Sequence, residues 1–225
     1  MSELKRFSIR TFGCQMNVHD TEKLSNLLYH AGYEAAGDEG AADLLVINTC
    51  SVREKAENKL YSDLGRLREW KSEKPGRMIG VGGCVAQQEG QTILRRFDHV
   101  DLVFGTHNLL AVPAMLEGAA QGQSGVRIEE SASQDRFDLP ERHPAFEGRD
   151  TGHSFVTVME GCDMFCSFCV VPKTRGREIS RTAASIVAEV RNLVERGVSE
   201  ITLLGQTVNA YGRHDTRRGV GEAAG

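Results

Sequence analysis

Cys162, Cys166 and Cys169 lie in one short segment with the spacing C-x3-C-x2-C. Three thiolates from one loop can hold three irons of a cubic 4Fe-4S cluster, because clusters of this kind are bound through cysteine sulfur. The fourth iron is then open to a substrate or cofactor. A zinc knuckle is the alternative reading. Structural zinc asks for four ligands, yet His153 is distant upstream and no cysteine follows Cys169. Cys14, Cys50 and Cys84 complete the set of six cysteines and are far apart in sequence.

These thiols need elements to position them. Hydrophobic periodicity predicts strands over residues 5–11, 43–48, 77–81 and 100–104. Helices are expected over 20–31 (with Asp20 as N-cap), 53–71, 89–97 and 108–117. Residues 125–129 are a weaker candidate for an edge strand. Alternation of strand and helix implies a parallel sheet with helices packed on it. Cys14, Cys50 and Cys84 each follow a predicted strand. Ligands of open parallel sheets bind outside the carboxyl ends of the strands, so the three cysteines are expected at one sheet edge. A second cluster there competes with the plainer possibility of three buried cysteines. Gly13 and Gly82-Gly83 would allow backbone to approach a bulky ligand closely.

Residues 121–152 are polar, rich in Gly, Ser, Gln and acidic residues, and read as a linker. A new unit begins at 153. It has a strand over 154–160, Gly161 leading into the cysteine loop, and a helix capped by Ser180 or Thr182. That helix ends at Gly197, and a strand follows over 200–204. This is one β-loop-α-β crossover, the building block of parallel sheets and barrels. Residues 212–225 show no periodicity and read as a disordered tail.

The chain has 225 residues, 40% hydrophobic and 26% charged, which suits one large or two modest globular domains. A net charge of −4 argues against a broadly basic nucleic-acid binder, though a local basic patch is compatible with it. There is no secretory signal and no apolar run of membrane-spanning length. A cytoplasmic location is therefore expected, where patterned cysteines bind metal or do chemistry rather than form disulfides.

Longer motifs surround each cysteine. They are Gly13-Cys14-Gln15-Met16-Asn17, Asn48-Thr49-Cys50-Ser51-Val52-Arg53-Glu54-Lys55-Ala56, and Gly80-Val81-Gly82-Gly83-Cys84-Val85-Ala86-Gln87. Further on stand Met159-Glu160-Gly161-Cys162, Thr174-Arg175-Gly176-Arg177-Glu178 and Leu204-Gly205-Gln206-Thr207-Val208-Asn209-Ala210-Tyr211. Together these resemble the radical-SAM methylthiotransferases over residues 5–211. Within that family the tripeptide after Cys14 and the run after Cys50 favour the branch acting on prenylated adenosine in tRNA.

The resemblance implies an α/β chain. Residues 5–120 would form an N-terminal parallel-sheet domain carrying an auxiliary 4Fe-4S cluster on Cys14, Cys50 and Cys84. Residues 153–211 would begin a radical-SAM (β/α) partial barrel, with a 4Fe-4S cluster on Cys162, Cys166 and Cys169 that binds S-adenosyl-L-methionine. The implied reaction adds a methylthio group to carbon 2 of N(6)-dimethylallyladenosine beside the anticodon, in a monomer supplied by an electron donor such as flavodoxin or ferredoxin. Gly205, Gln206 and Asn209 are candidates to hold S-adenosylmethionine, with turn chemistry as the alternative. Phe165 and Phe168 are candidates to cover the cluster or stack on adenine. Lys173, Arg175, Arg177 and Arg181 are candidates for RNA phosphate contact, although a charge run is usually a solvated face. Arg53 and Lys55 are candidates to line a cleft. Family members continue well past residue 211, so the chain as given is expected to be an inactive fragment. The alternatives are a non-catalytic cluster-binding module, a methylthiotransferase acting on a ribosomal protein or another modified adenosine, and a zinc-binding structural protein.

Overall fold

The computed structural model describes residues 4–51, 54–147 and 152–213, without the side chains of 54–57. Arg53, the side chain of Lys55 and the expected tail from 214 onward lie outside the described residues. The chain divides into two compact units. The first comprises residues up to Ser131 together with Leu139–Glu141, and the second Ala132–Asp138 together with residues from Arg142 onward.

The first unit is built on β1 (Arg6–Thr11), α1 (Gln15–His30), β2 (Glu34–Ala35), β3 (Leu44–Thr49), α2 (Glu54–Glu73) and β4 (Met78–Gly83). It continues with α3 (Cys84–Glu89), α4 (Gln91–Arg96), β5 (Leu102–Phe104), α5 (Val112–Ala120) and β6 (Gly125–Arg127). The six strands pair in parallel in the order β2-β1-β3-β4-β5-β6. From β1 the chain first moves outward to β2, then returns to add β3 on the other side. That reversal is a topological switch point, the place where doubly wound sheets bind ligands.

Every residue of β3 is buried, as expected of a strand covered on both faces. Leu45 and Ile47 pack with Leu60, Leu64 and Leu67 of α2, which recur on one helical face. Leu44 and Val46 alternate to the opposite face and are equally enclosed.

Several elements depart from their expected bounds. α1 begins at Gln15, so Asp20 lies buried in mid-helix and is not its N-cap. The early turns bury Asn17, His19 and Asp20, and polar residues there hide the helix from hydrophobic periodicity. The helix expected over 89–97 is α4, and a further short helix, α3, precedes it, separated by Gly90, whose φ of 38° a side chain rarely adopts. Much of the stretch read as linker is built into the first unit. Residues 125–127 form edge strand β6, the Gln87 amide donates to Ile128 O (2.7 Å), and Ser131 N donates to His107 Nδ1 (3.1 Å). Asn26 Nδ2 donates to Pro140 O at 3.0 Å, and His30 Nε2 lies 2.8 Å from Glu141 O. Composition does not reveal ordering by such side-chain bonds to the backbone.

The second unit contains β7 (His153–Thr157), β8 (Met159–Glu160), α6 (Val171–Thr174), β9 (Ile179–Ser180), α7 (Ala183–Glu195) and β10 (Glu200–Leu204). β7 pairs in parallel with β10, and α7 makes the crossover between them. β8 pairs antiparallel with β9, so the single strand expected over 154–160 is two. Thr182 caps α7 by accepting from Ser185 N at 3.3 Å. Gly197 (φ 93°) closes it in a Schellman motif, with Val198 N donating to Leu193 O (3.1 Å) and Gly197 N to Val194 O (2.9 Å). One apolar cluster of the unit is Val156, Leu193 and Val198, flanked by Ile186, Val190 and Ile201, and Met159 and Leu204 are also buried. Among the described residues no barrel closes and no helix is long and apolar enough to cross a membrane. The α/β class expected from sequence is the one observed, with the barrel incomplete.

One ion pair makes the first unit pH-sensitive. Arg10 on β1 makes a bidentate hydrogen-bonded pair with Glu39 and also lies 3.4 Å from buried Asp63. The Arg10 hydrogen bond holds the Glu39 carboxyl below its ordinary range, against the opposing effect of burial. A lowered folded pKa contributes stability above the unfolded value, about 4.3, and that contribution is lost as pH falls through the folded one. Glu39→Gln is therefore expected to lower the urea midpoint at neutral pH and to converge with wild type in acid. Urea melts across that range check it.

Candidate metal centres

In the first unit the sheet brings the three cysteine-bearing turns together. β1, β3 and β4 are neighbours, with Thr11 opposite Asn48 and Thr49 opposite Gly83. Phe12 N extends the pairing by donating to Asn48 O at 2.8 Å. Cys14 follows as the N-cap of α1, Cys50 comes directly after β3, and Cys84 opens α3 directly after β4.

The turns lie in close contact. A Cβ on Gly13 (φ 144°) would fall 2.6 Å from Cys50 Cβ. A Cβ on Gly83 (φ 92°) would fall 2.3 Å from Thr49 O. These glycines are required by contact, not merely tolerated.

A buried amide pair locks the arrangement. Asn17 Nδ2 donates to Thr49 O (3.0 Å), and Asn48 Nδ2 donates to Asn17 O and to Thr21 Oγ1 (both 2.9 Å). Thr49 Oγ1 donates to Gly82 O (3.1 Å), which reaches the third strand. Cys14 Sγ lies 3.3 Å from Asn17 Oδ1. Asn17 and Asn48 were not singled out from sequence. The available signal was an asparagine closing the apolar run Leu44–Ile47, since a buried amide must find partners.

In the second unit β8 delivers the chain into the cysteine loop. Gly161 (φ 79°) again leaves no room for a side chain, since its Cβ would lie 2.2 Å from Arg177 O. Gly161 N donates to Gln206 Oε1 (2.6 Å), Cys162 N to Gly176 O (3.3 Å), and Thr207 Oγ1 to Cys162 Sγ (3.0 Å). Cys169 N donates to Cys166 O at 2.9 Å, which forms the turn between the later two cysteines. Asp163 accepts from Arg177 Nε (2.7 Å), Arg177 Nη2 (3.1 Å) and Glu178 N (3.1 Å), so it ties the loop to the segment after α6. The Asp163 hydrogen bonds push the Arg177 pKa further up. Cys162 is buried, Cys169 half-buried and Cys166 exposed, and Met164, Phe165 and Phe168 stand out into solvent, Phe168 at 89% exposure. Phe165 has a φ of 46°, rare for a bulky residue.

Two of the candidate RNA contacts are corrected. Arg175 and Arg181 are 3% and 6% exposed and face the interior of the unit. Arg175 Nη1 lies 3.9 Å from buried Glu160, whose other oxygen is 3.4 Å from Arg136. Arg181 Nη1 donates to Thr157 O (2.9 Å) and Glu189 Oε2 (2.5 Å). Buried arginines need such partners. Arg136 arrives on the segment Ala132–Asp138, within the stretch read as linker. Lys173 and Arg177 are both exposed. Of the S-adenosylmethionine candidates, Gly205 packs against Met159 and Gln206 binds the Gly161 backbone. Asn209 is exposed in the 3-10 turn that follows β10.

Among the described residues no three His, Cys, Asp or Glu side chains converge closely enough to hold a single metal ion. Each cysteine of a four-iron cluster binds a different iron, so the thiols of a set need not converge on one point. None of the six cysteines is joined in a disulfide, and glycines in the adjoining turns leave little room beside both sets. The residues therefore fit iron–sulfur ligation.

Residues 6–105 match the family described as "Uncharacterized protein family UPF0004", and residues 156–218 match the Radical SAM superfamily. The tRNA-2-methylthio-N(6)-dimethylallyladenosine synthase of Geobacter sulfurreducens is 50% identical over 212 residues, 94% of this chain and 47% of that protein. Over nearly its whole length the chain is therefore similar to a tRNA methylthiotransferase of that name. The synthase of the same name from Cereibacter sphaeroides (strain ATCC 17023 / DSM 158) is 51% identical over 214 residues and 48% of its length. This chain thus spans about half the length of the curated relatives it matches. In fold it is similar to the radical S-adenosylmethionine methyltransferase TsrM from Kitasatospora setae, solved with cobalamin and a [4Fe-4S] cluster. The TM-score is 0.58 at 14% identity, over 96% of this chain and 50% of that one.

Two substitutions probe these centres. Gly83→Ala places a side chain in a glycine-only conformation and against Thr49 O, at a cost of about 1–3 kcal/mol from backbone strain alone. It is expected to lower the melting temperature, which differential scanning calorimetry checks. Glu160→Ala removes the carboxylate facing two buried guanidinium groups and is expected to cost about 3–5 kcal/mol in urea unfolding.

Proposed function

We propose that this chain belongs to an enzyme that methylthiolates tRNA, adding a methylthio group to carbon 2 of N(6)-dimethylallyladenosine by radical S-adenosylmethionine chemistry. The observation that carries this reading is the roughly 50% identity, across 94% of the chain, to synthases of that name. Both cysteine sets stand at positions that suit the clusters such chemistry needs.

Cys14, Cys50 and Cys84 would hold an auxiliary 4Fe-4S cluster, and Cys162, Cys166 and Cys169 the cluster that binds S-adenosyl-L-methionine. When bound, this second cluster and S-adenosylmethionine supply radical chemistry strong enough for an unactivated aromatic C–H bond, and the protein's part is position and shielding. Gln206 holds the Gly161 amide, so the turn before Cys162 keeps one geometry. Asp163 and Arg177 brace the other side of the loop. Phe165 and Phe168 present apolar faces beside the cysteines, suited to excluding water or stacking on a base. Gly205 and Asn209 are assigned to S-adenosylmethionine at the carboxyl end of β10. RNA phosphate contact is assigned to Lys173 and Arg177, the two cations of the original four that are not buried. A one-electron donor of the flavodoxin or ferredoxin kind is the expected partner.

Iron and sulfide analysis after anaerobic reconstitution tests the cofactor content. About eight irons per chain are expected, falling to about four in Cys84→Ala and in Cys166→Ala. Little iron with retained zinc would overturn the reading. For the substrate, tRNA from a strain lacking the gene is expected to keep the prenylated adenosine and lack its methylthio group by mass spectrometry. An unchanged tRNA profile with a methylthio group missing from a ribosomal protein would reassign the substrate.

A further inference from the structure

We propose that Thr207 raises the reduction potential of the cluster held by Cys162, Cys166 and Cys169. This rests on the cofactor assignment above and concerns a residue that assignment leaves without a role.

Thr207 Oγ1 donates a hydrogen bond to Cys162 Sγ at 3.0 Å. Cys162 is the buried member of its set, while Cys166 is exposed and Cys169 lies between. A hydrogen bond to the sulfur least reached by water acts in the lowest local dielectric, where it has its largest electrostatic effect.

The hydroxyl is held in place by its surroundings. Gln206, its neighbour, accepts from Gly161 N at 2.6 Å, so consecutive side chains grip the backbone before Cys162 and the sulfur of Cys162 itself. Gly205 packs so closely on Met159 that an added Cβ would lie 2.5 Å from Met159 Cγ. Thr207 then starts a 3-10 turn, with Ala210 N donating to Thr207 O at 2.7 Å. Tyr211 Oη fastens the end of that turn to Arg181 O at 2.9 Å.

Reduction places one electron, from a one-electron reductant, on the cluster and increases negative charge on its cysteine sulfurs. No bond breaks at Thr207, and the hydroxyl proton stays on Oγ1. A donor aimed at the sulfur stabilises the reduced form more than the oxidised one and so moves the potential upward, since hydrogen bonds to sulfur tune such clusters. The donor is a side-chain hydroxyl, which substitution can remove without touching the backbone.

The test is an anaerobic redox titration with dithionite, followed by EPR, on the full reconstituted chain and on Thr207→Val, Thr207→Ala and Thr207→Ser. The triple variant Cys14→Ala, Cys50→Ala, Cys84→Ala identifies which couple belongs to the second set. Thr207→Val and Thr207→Ala are expected to retain wild-type iron and to move that couple to lower potential. Thr207→Ser, which keeps the hydroxyl, is expected to stay with wild type, and the other couple is the internal control. Full iron loading with an unmoved couple in Thr207→Ala, the variant that adds no bulk, would sink the proposal while leaving the cofactor assignment intact. Shifts of the same size in Ser, Ala and Val would also overturn it, since the hydroxyl would then not be the cause. Absence of iron at the second set in the wild-type chain would remove both the assignment and the proposal.

Discussion

The parallel register of β1, β3 and β4 is the constraint on which the first unit depends. Because Thr11 pairs with Asn48 and Thr49 with Gly83, the three strands end nearly level, and the turns that follow must share one crowded edge. Only glycine fits where those turns meet, and a buried pair of asparagine amides satisfies the backbone that the strand ends leave over. The thiols are thus placed by hydrogen-bond register and backbone packing before any ligand is considered. The reversal of winding between β1 and β3 opens the sheet at the same point, as in other doubly wound folds.

The second unit reaches a comparable end by another route. The chain around its cysteine loop is held by a set of polar contacts. Glu160 stands between Arg136 and Arg175, Arg181 is bonded to Thr157 O and Glu189, and Asp163 clamps Arg177. The buried part of this network, Glu160 with Arg136 and Arg175, adds little net stability compared with apolar packing, but breaking it is costly. Such a network therefore specifies one loop geometry rather than making the unit robust.

Much of this was legible in the sequence. The alternation of apolar runs with helical periodicity gave the parallel sheet, and the placement of each cysteine after a strand gave their common edge. Positions where polarity runs against burial were not legible. The first turns of α1 bury Asn17, His19 and Asp20, so the helix start was expected too late. The run Lys173–Arg181 looks like a basic surface, yet Arg175 and Arg181 turn inward because Glu160 and Glu189 await them, and linear sequence does not show which charges meet. The segment 121–152 has the composition of a linker, although Gln87, His107 and Asn26 bond its backbone in place. Hydroxyl-to-sulfur contact at Thr207 had no signature beyond proximity to a strand end.

The chain passes from the first unit to the second at Ala132, returns at Leu139, and leaves again at Arg142. No single breakpoint in this stretch separates the two units cleanly, since a cut on either side strands a piece of one with the other. Arg136 would be lost to the second unit by a boundary drawn at 142, and the Pro140 carbonyl would be lost to the first by one drawn at 132. Gene fusion or shuffling that inherits one unit without the other must therefore leave a partner bond behind.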